Sequence, residues 1–253
     1  MIDALYISAS GLRGQQEQID VISNNVANMQ TPGFKRGRVN FAQVASIGAL
    51  DGSAQSVQHG GGSRVMSTSL LFDQGDMQPT QNPMDLAIDG PGFFELEDTA
   101  GDRYYTRDGQ FRLDGEGYLT ATNGMRLAQG MQIPTDASNL QVAPNGEVSV
   151  VLAGETAPTV LGTIDLVSFA SSDGLVSVGD NVFKATDVSG EPETMTAGST
   201  GAGKVMQGEL EMANVDMIDE MTGLVLAQRA YQLNARVLQA SDQLLETINN
   251  LRR

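Results

Sequence analysis

Residues 5–26 read LYISASGLRGQQEQIDVISNNV, and this stretch decides the fold. An apolar residue recurs at every seventh position in it, at Leu5, Leu12, Ile19 and Val26. Such a repeat keeps one apolar line of a helix facing a partner helix. Because an isolated helix is only marginally stable in water, the line predicts an N-terminal helix that needs a second helix to cover it.

A matching line lies at the other end of the chain. Its members are Met217, Leu224, Tyr231, Leu238 and Leu245, and a second line one position earlier holds Val237, Leu244 and Leu251. Asn214 or Asp216 is expected to cap this helix, since a side-chain oxygen there can accept from the first free backbone N–H groups. The two terminal helices are therefore predicted to pack against each other as a coiled coil.

Between the helices the sequence is typical of short antiparallel strands. Asn123-Gly124 and Asn145-Gly146 are favoured hairpin pairs, because both positions of such turns need a positive φ. The predicted fold class is α+β, with an all-β middle domain inserted between the helices. The predicted boundaries are an N-terminal helix over 1–34, ending near Pro32, a linker or extended segment over 35–83, a β-rich domain over 84–205 and a C-terminal segment and helix over 206–253.

Composition excludes several classes of function. The 253 residues carry a net charge of −16, which argues against a nucleic-acid binder, since such proteins present a basic face. The chain has no cysteine and one histidine, His59, so thiolate chemistry and common zinc sites are not expected. Residues 198–204 resemble a phosphate-binding loop, but Val205 stands where the metal-binding hydroxyl belongs, so a turn is predicted. No catalytic residue, metal or cofactor is predicted.

The start of the chain has no basic region of the kind that opens a secretory signal peptide, and no apolar run is long enough to span a bilayer. Taken alone, these features predict a cytoplasmic protein without membrane insertion. That expectation fails for a protein exported by a route that leaves no cleaved signal.

Three groups of motifs resemble those of the flagellar rod and hook proteins. The first is Ser23-Asn24-Asn25-Val26-Ala27-Asn28 with Thr31-Pro32-Gly33-Phe34-Lys35-Arg36. The second is Asn82-Pro83-Met84-Asp85-Leu86-Ala87-Ile88, Gly90-Pro91-Gly92-Phe93-Phe94 and Tyr105-Thr106-Arg107-Asp108-Gly109. The third is Gln207-Gly208-Glu209-Leu210-Glu211, Asn214-Val215-Asp216 and Gln228-Arg229-Ala230-Tyr231-Gln232. The resemblance covers essentially the whole chain in the expected order.

The resemblance to the flagellar basal-body rod family implies an axial structural protein without enzymatic activity. It implies helical self-assembly into a tube, with the terminal helices around a central export channel and the β domain outside. It also implies a place in the periplasmic rod, export by the flagellar type III apparatus without a cleaved signal, and contact with other rod proteins and the hook protein. Contact with the P- and L-ring proteins is left open.

Within the family, the motifs look most like those of the distal rod. Two departures are Ala213, where the family usually has serine, and the segment 38–70, which is shorter than the usual distal-rod insertion. A proximal-rod or hook-like subunit is the alternative within the family. A secreted enzyme that cleaves the cell wall with paired carboxylates is the alternative outside it, although no acid pair stands out.

The residues singled out for assembly are Leu5, Leu12, Ile19, Asn24, Asn25, Asn28, Gly33, Phe34, Lys35, Arg36, Asn214, Leu224, Gln228, Arg229, Tyr231, Leu238 and Leu245. The asparagines are poor helix formers and can mark either a fraying helix end or amides that bind neighbouring subunits. Lys35, Arg36 and Arg38 can be a solvated cluster or a contact with acidic surfaces of neighbouring subunits. The heptad spacing of Tyr231 and Leu238 predicts first that both belong to the core between packed helices.

Overall fold

The computed structural model describes residues 2–47, 58–134, 136–153 and 157–251. Two terminal helices flank a middle region that is mostly strand, which confirms the predicted α+β class. The chain divides into two compact units. Unit 1 comprises Met1–Ala27, Gly37–Leu71 and Val215–Arg253, and unit 2 comprises Asn28–Arg36 and Phe72–Asn214. No helix of the described residues is both long and apolar enough to cross a membrane.

The first helix, α1, spans Ile2–Ala27 and is shorter than predicted. The predicted N-terminal helix over 1–34 is wrong at its C-terminal end, and Met1 lies outside the described residues. The backbone N–H of Thr31 donates to the carbonyl of Asn28 at 3.0 Å, so a turn replaces the last helical residues. Pro32 disfavours a helical conformation only at Thr31, so the turn closed by Asn28 and Thr31 is what ends α1 before the proline.

The second helix, α2, spans Met217–Leu251. Asp216 caps it, since Oδ1 of Asp216 accepts from the backbone N–H groups of Ile218 at 2.8 Å and Asp219 at 3.2 Å. This confirms Asp216 rather than Asn214 as the capping residue. Arg252 and Arg253 lie outside the described residues.

An antiparallel ribbon completes unit 1, and it corrects part of the predicted linker over 35–83. Strands β1 (Gly37–Ile47) and β2 (Gln58–Leu70) pair from Gly37 opposite Leu70 to Ile47 opposite Gln58, with two register shifts. The ribbon packs on α1. The segment is extended, but it is a paired element rather than a linker, and the part at 48–57 lies outside the described residues.

Unit 2 contains sixteen strands among its described residues. They are β3 (Met77–Pro79), β4 (Leu86–Asp89), β5 (Phe93–Glu97), β6 (Arg103–Thr106), β7 (Phe111–Leu113), β8 (Leu119–Ala121), β9 (Arg126–Leu127), β10 (Ala137–Val142), β11 (Glu147–Leu152), β12 (Thr159–Thr163), β13 (Asp165–Ser168), β14 (Val176–Gly179), β15 (Val182–Lys184), β16 (Glu193–Thr196), β17 (Lys204–Gln207) and β18 (Glu209–Glu211). A 3₁₀ turn at Ser172–Gly174 precedes β14.

The strands of unit 2 form a nine-stranded antiparallel sheet and three smaller sheets. The large sheet runs in the order β14-β15-β6-β5-β9-β8-β7, with β13 paired to β5 and β16 paired to β13. The smaller sheets are β10-β11-β12, β17-β4 and β18-β3. Their apolar faces enclose one buried core, in which Phe94, Leu96, Ile164 and Leu166 are fully covered.

The predicted turns are confirmed at the two asparagine-glycine pairs. Gly124 joins β8 to β9 with a φ of 86°, and Gly146 joins β10 to β11 with a φ of 82°. Residues 198–204, which resemble a phosphate-binding loop, join β16 to β17. No helix follows them, so the predicted turn is confirmed and a strand–loop–helix unit is absent from this described stretch.

Candidate assembly surface

The two terminal helices pack against each other, and most residues of the predicted apolar lines are partly covered. Leu5, Leu12 and Ile19 on α1 are half-buried, and so are Leu224, Leu238 and Leu245 on α2. Tyr231, on the same line, is 40 % exposed. Because these residues are only half-buried, the partner helix within the same chain covers each line only in part.

The helices run antiparallel and approach closely. Asn25 of α1 contacts Glu220 of α2, and Gly11 lies against Asn234, where a Cβ on the glycine would come within 2.9 Å of the asparagine Nδ2. Between these two contacts the position falls from 25 to 11 on α1 and rises from 220 to 234 on α2, which is fourteen residues on each helix. The facing positions therefore advance in step along both helices.

Asn25 is the polar centre of unit 1, with 1 % of its surface exposed. Its Nδ2 donates to the carbonyl of Gly37 at 3.0 Å and to Oε2 of Glu220 at 3.3 Å, while its Oδ1 accepts from the N–H of Gly37 at 2.9 Å. These bonds join the end of α1, the start of β1 and the first turn of α2. The hypothesis that this amide binds a neighbouring subunit is therefore wrong for Asn25.

The other two asparagines of the motif lie in different surroundings. Asn24 is exposed on α1. Asn28 is half-buried in unit 2, where its Oδ1 accepts from the hydroxyl of Thr31 at 3.4 Å. Asn28 thus forms part of the turn that follows α1, and only Asn24 presents its side chain to solvent.

Besides Met217 and Tyr231, the described part of α2 exposes seven large apolar residues. They are Ile218, Met221, Val225, Leu226, Leu233, Val237 and Leu244. Ile218 is 76 % exposed and Leu233 is 60 % exposed. Gln228 and Arg229 lie on the exposed surface of the same helix. We call the seven apolar residues the outer row of α2.

In unit 2 the motif Thr31 to Arg36 is held by backbone contacts. The N–H of Gly33 donates to the carbonyl of Glu211 at 2.8 Å, and its φ of 70° belongs to the left-handed region. A Cβ at Gly33 would lie 2.5 Å from the backbone nitrogen of Asp108. Glycine is therefore required there, because other residues rarely adopt this φ and because a Cβ would collide with the backbone of Asp108. Phe34 is half-buried.

Lys35 is buried, with 2 % of its surface exposed. Its Nζ donates to Oε1 of Glu211 at 2.6 Å and to the carbonyl of Asp73 at 2.8 Å. Nη1 of Arg107 donates to the other oxygen, Oε2 of Glu211, at 3.1 Å. Burial lowers the pKa of Lys35, while the Glu211 carboxylate opposes that shift.

The hypothesis that the basic cluster contacts acidic surfaces of neighbouring subunits is wrong for Lys35, because its charge is satisfied inside unit 2. Arg36 is half-buried, and its backbone N–H donates to Oδ1 of Asn214 at 2.8 Å. Nδ2 of Asn214 donates to the carbonyl of Asp73 at 3.0 Å. The first contact ties the segment after α1 to the segment before α2, and the second ties the segment after β2 to it.

Sequence reasoning missed Glu211 and Arg107 as partners of Lys35. No local pattern could have found Glu211, because Glu209 and Glu211 are two residues apart and therefore lie on the same face of a strand. Nothing along the chain indicates which distant cation an inward carboxylate meets. Among the described residues, no group of three or more histidine, cysteine, aspartate or glutamate side chains is arranged to hold a metal ion.

Three family models match successive parts of the chain. The model described as "Flagella basal body rod protein" matches residues 5–35, "Flagellar hook protein FlgE/F/G D1 domain" matches residues 87–150, and "Flagellar basal body rod FlgEFG protein C-terminal" matches residues 206–251. The first match includes most of α1 and Lys35, and the third includes Glu211 and all of α2.

Full-length relatives give the same result. The chain is 37 % identical to the flagellar basal-body rod protein FlgG of Buchnera aphidicola subsp. Schizaphis graminum, over 99 % of this chain and 100 % of the relative. It is 38 % identical to FlgG of Bacillus subtilis over the whole of both chains. It is 28 % identical to the flagellar hook-basal body complex protein FlhP of Bacillus subtilis, again over the whole of both chains.

Proposed function

The chain belongs to the flagellar basal-body rod protein family, and we propose that it polymerises helically into the distal rod, a tubular drive shaft around the export channel. The full-length similarity to proteins named FlgG supports the distal position. A proximal-rod or hook-like position is the alternative. In this proposal the chain is purely structural and has no catalytic residue.

We propose that α1 and α2 form an antiparallel coiled coil at the inner wall of the tube. Their facing positions advance together by fourteen residues, from 25 to 11 on α1 and from 220 to 234 on α2, which equals two heptads. The half-buried line of Leu12 and Ile19 supports a packed seam along that length.

The observation that carries the proposal is the outer row of α2. Soluble monomers rarely leave so many large apolar side chains of one helix in water, and a cluster of exposed apolar residues usually marks a protein–protein contact. Ile218, Met221 and Val225 follow one another at spacings of three and four residues, which places them on one face of the helix. A repeated head-to-tail contact through this face builds a helical filament when its rotation does not close.

Other copies of the chain are therefore the first proposed partners, followed by other rod proteins and the hook protein. Asn24, Gln228 and Arg229 are exposed on the terminal helices and are proposed to add polar contacts between subunits. Contact with the P- and L-ring proteins stays a prediction. Export without a cleaved signal peptide also stays a prediction.

The proposal is tested by raising the concentration of the purified protein and following polymers by sedimentation and negative-stain electron microscopy. Straight tubes of regular diameter are expected. Leu233→Asp places a charge in the outer row, so the concentration needed for polymerisation should rise by at least about tenfold, since burying an uncompensated charge is costly.

The matched control is Gln16→Asp, which places the same charge at an exposed polar position of α1. It should polymerise at nearly the wild-type concentration, and both variants should keep the wild-type unfolding midpoint as monomers. Equal polymerisation of Leu233→Asp and wild type would contradict the role of the outer row. Persistent monomers of the wild type, even with rod or hook fragments as seeds, would contradict self-assembly.

A further inference from the structure

Unit 1 has a groove of about 570 Å³ between α1 and the ribbon of β1 and β2. Tyr6 of α1 and Val44 and Val65 of the ribbon supply apolar parts of its wall. The two sides of the groove are joined directly, since the backbone N–H of Ser63 donates to Oγ of Ser10 at 3.4 Å. A preformed apolar groove of this kind accepts the apolar side chains of a partner helix.

The groove is also basic, although the chain as a whole is acidic. Arg13 and Arg64 line it together with Glu17, and all three side chains are exposed. Two arginines against one glutamate give a charge of +1 at the groove, whereas the whole chain carries −16. Among the described residues, no ion pair joins either arginine to an acid. The groove therefore favours a partner segment that combines apolar and acidic side chains.

The start of α2 is such a segment. Met217, Ile218 and Met221 are 43, 76 and 57 % exposed, and Met221 shares a side of the helix with the other two through spacings of four and three residues. Asp216 and Asp219 stand next to them in the sequence and are exposed as well. We call the three apolar residues the leading cluster of α2.

The leading cluster lies too far from the groove of its own subunit to fill it. Glu220, in the same turn of α2, contacts Asn25 near the end of α1, whereas the groove lies along residues 6–17 of that helix. Gly14, in the wall of the groove, is eleven positions before Asn25, which is about 17 Å along the helix axis. Only the leading cluster of another copy fits the groove, and a head-to-tail contact of this kind builds an open filament when its rotation does not close.

We propose that the groove between α1 and the ribbon holds the leading cluster of a second copy of this chain. The cluster enters between the apolar walls, and the carboxylates of Asp216 and Asp219 face the guanidinium groups of Arg13 and Arg64. This inference rests on the proposed function, because it names the surface on which the first residues of the outer row dock. Opposite charges fix the register of such a contact and speed the encounter of the subunits.

Disulfide trapping tests the contact, because the chain has no cysteine of its own. Ile218→Cys and Ser63→Cys are combined in one chain, which is polymerised under reducing conditions and then oxidised. A disulfide needs Cα atoms within about 7 Å, so a ladder of covalent multimers is expected on a non-reducing gel. The matched control combines Ile218→Cys with Ser67→Cys, an exposed position of β2 about 13 Å beyond Ser63. This control should polymerise equally and run as a monomer on the gel.

Polymers of the first variant that give no ladder would overturn this inference and leave the proposed self-assembly intact. Equal ladders from both variants would overturn it as well. Failure of the wild type to polymerise would overturn both the inference and the proposed function.

A charge exchange tests the acidic part of the contact. Arg64→Glu should raise the concentration needed for polymerisation by at least about tenfold, because it places like charges opposite each other. Adding Asp219→Arg to this variant should restore most of the loss, while monomers of both variants keep the wild-type unfolding midpoint. A double variant that polymerises no better than Arg64→Glu alone would overturn the inference.

Discussion

Asn25 and Glu220 meet between the two terminal helices, with Nδ2 of Asn25 3.3 Å from Oε2 of Glu220 and both residues only 1 % exposed. The same amide satisfies both backbone groups of Gly37, where the chain enters the ribbon. One side chain thus links three elements of unit 1 that are far apart in sequence. A polar group that is buried and fully bonded in this way is costly to disturb.

Asn25→Ala should lower the free energy of unfolding by about 2–4 kcal/mol, because it leaves buried partners of the amide without a hydrogen bond. Gln16→Ala is the matched control, since it removes an amide side chain from an exposed position of the same helix. It should change stability by no more than about 0.5 kcal/mol. Urea unfolding followed by circular dichroism at 222 nm measures both, and equal effects would contradict the assigned role of Asn25.

Gly33 offers a second paired test. Gly33→Ala should destabilise unit 2 by about 3 kcal/mol or more, because the new Cβ meets the backbone of Asp108 at 2.5 Å in addition to the strain of a positive φ. Gly124→Ala has a positive φ of 86° but nothing within 4 Å of the new Cβ. This substitution should lower the free energy of unfolding by only about 1–2 kcal/mol, because the positive φ is its only source of strain. A thermal unfolding series that ranks the two variants the other way would refute the close approach at Gly33.

The ion network of Lys35, Arg107 and Glu211 predicts which of two substitutions lowers the stability of the protein more. Glu211→Gln removes the shared counterion and leaves two buried cations, so it should cost roughly 3–5 kcal/mol. Lys35→Met should cost less, because Arg107 and Glu211 remain a balanced pair and the apolar stem of the lysine is replaced by a similar volume. Chemical denaturation of both variants gives the order. A larger loss for Lys35→Met would contradict the shared carboxylate.

The buried carboxyl of Asp108 should make the stability of the protein depend on pH. Burial raises the pKa of the Asp108 carboxyl above its ordinary value, opposed in part by the hydrogen bond from the N–H of Gln110. A carboxyl whose pKa is raised by folding contributes stability below its unfolded pKa of about 3.9, and this contribution is lost as the pH rises through the folded pKa. Asp108→Asn does not titrate, so its stability relative to wild type should increase as the pH rises from 4 to 7. Parallel pH profiles for the two proteins would contradict the raised pKa.

The terminal helices and several hairpin turns were predictable from local patterns. The heptad line at Leu12 and Ile19 requires a partner helix wherever it occurs, and Asn123-Gly124 determines a turn from two adjacent residues. The end of α1 was misplaced by several residues, because the turn at Asn28 depends on a backbone bond to Thr31 rather than on Pro32 alone.

The ribbon and the ion network were not predictable, because both depend on distant partners. Strand β2 is rich in glycine and serine, and the ribbon is packed on α1, where Gly14 leaves room for Phe41. Lys35 stands beside Arg36 and Arg38 and therefore reads as part of an exposed basic cluster. Its burial depends on Glu211, which is 176 positions away in the chain.

The central claim is that neighbouring copies cover the outer row of α2, and oxidation of Met221 tests it most directly. Met221 is 57 % exposed in this row, and a methionine thioether that solvent reaches is readily oxidised to the sulfoxide. Brief hydroxyl-radical labelling, read by mass spectrometry, should modify Met221 quickly in the monomer and at least about tenfold more slowly in polymers. Polymers in which Met221 is oxidised as fast as in the monomer would contradict the claim.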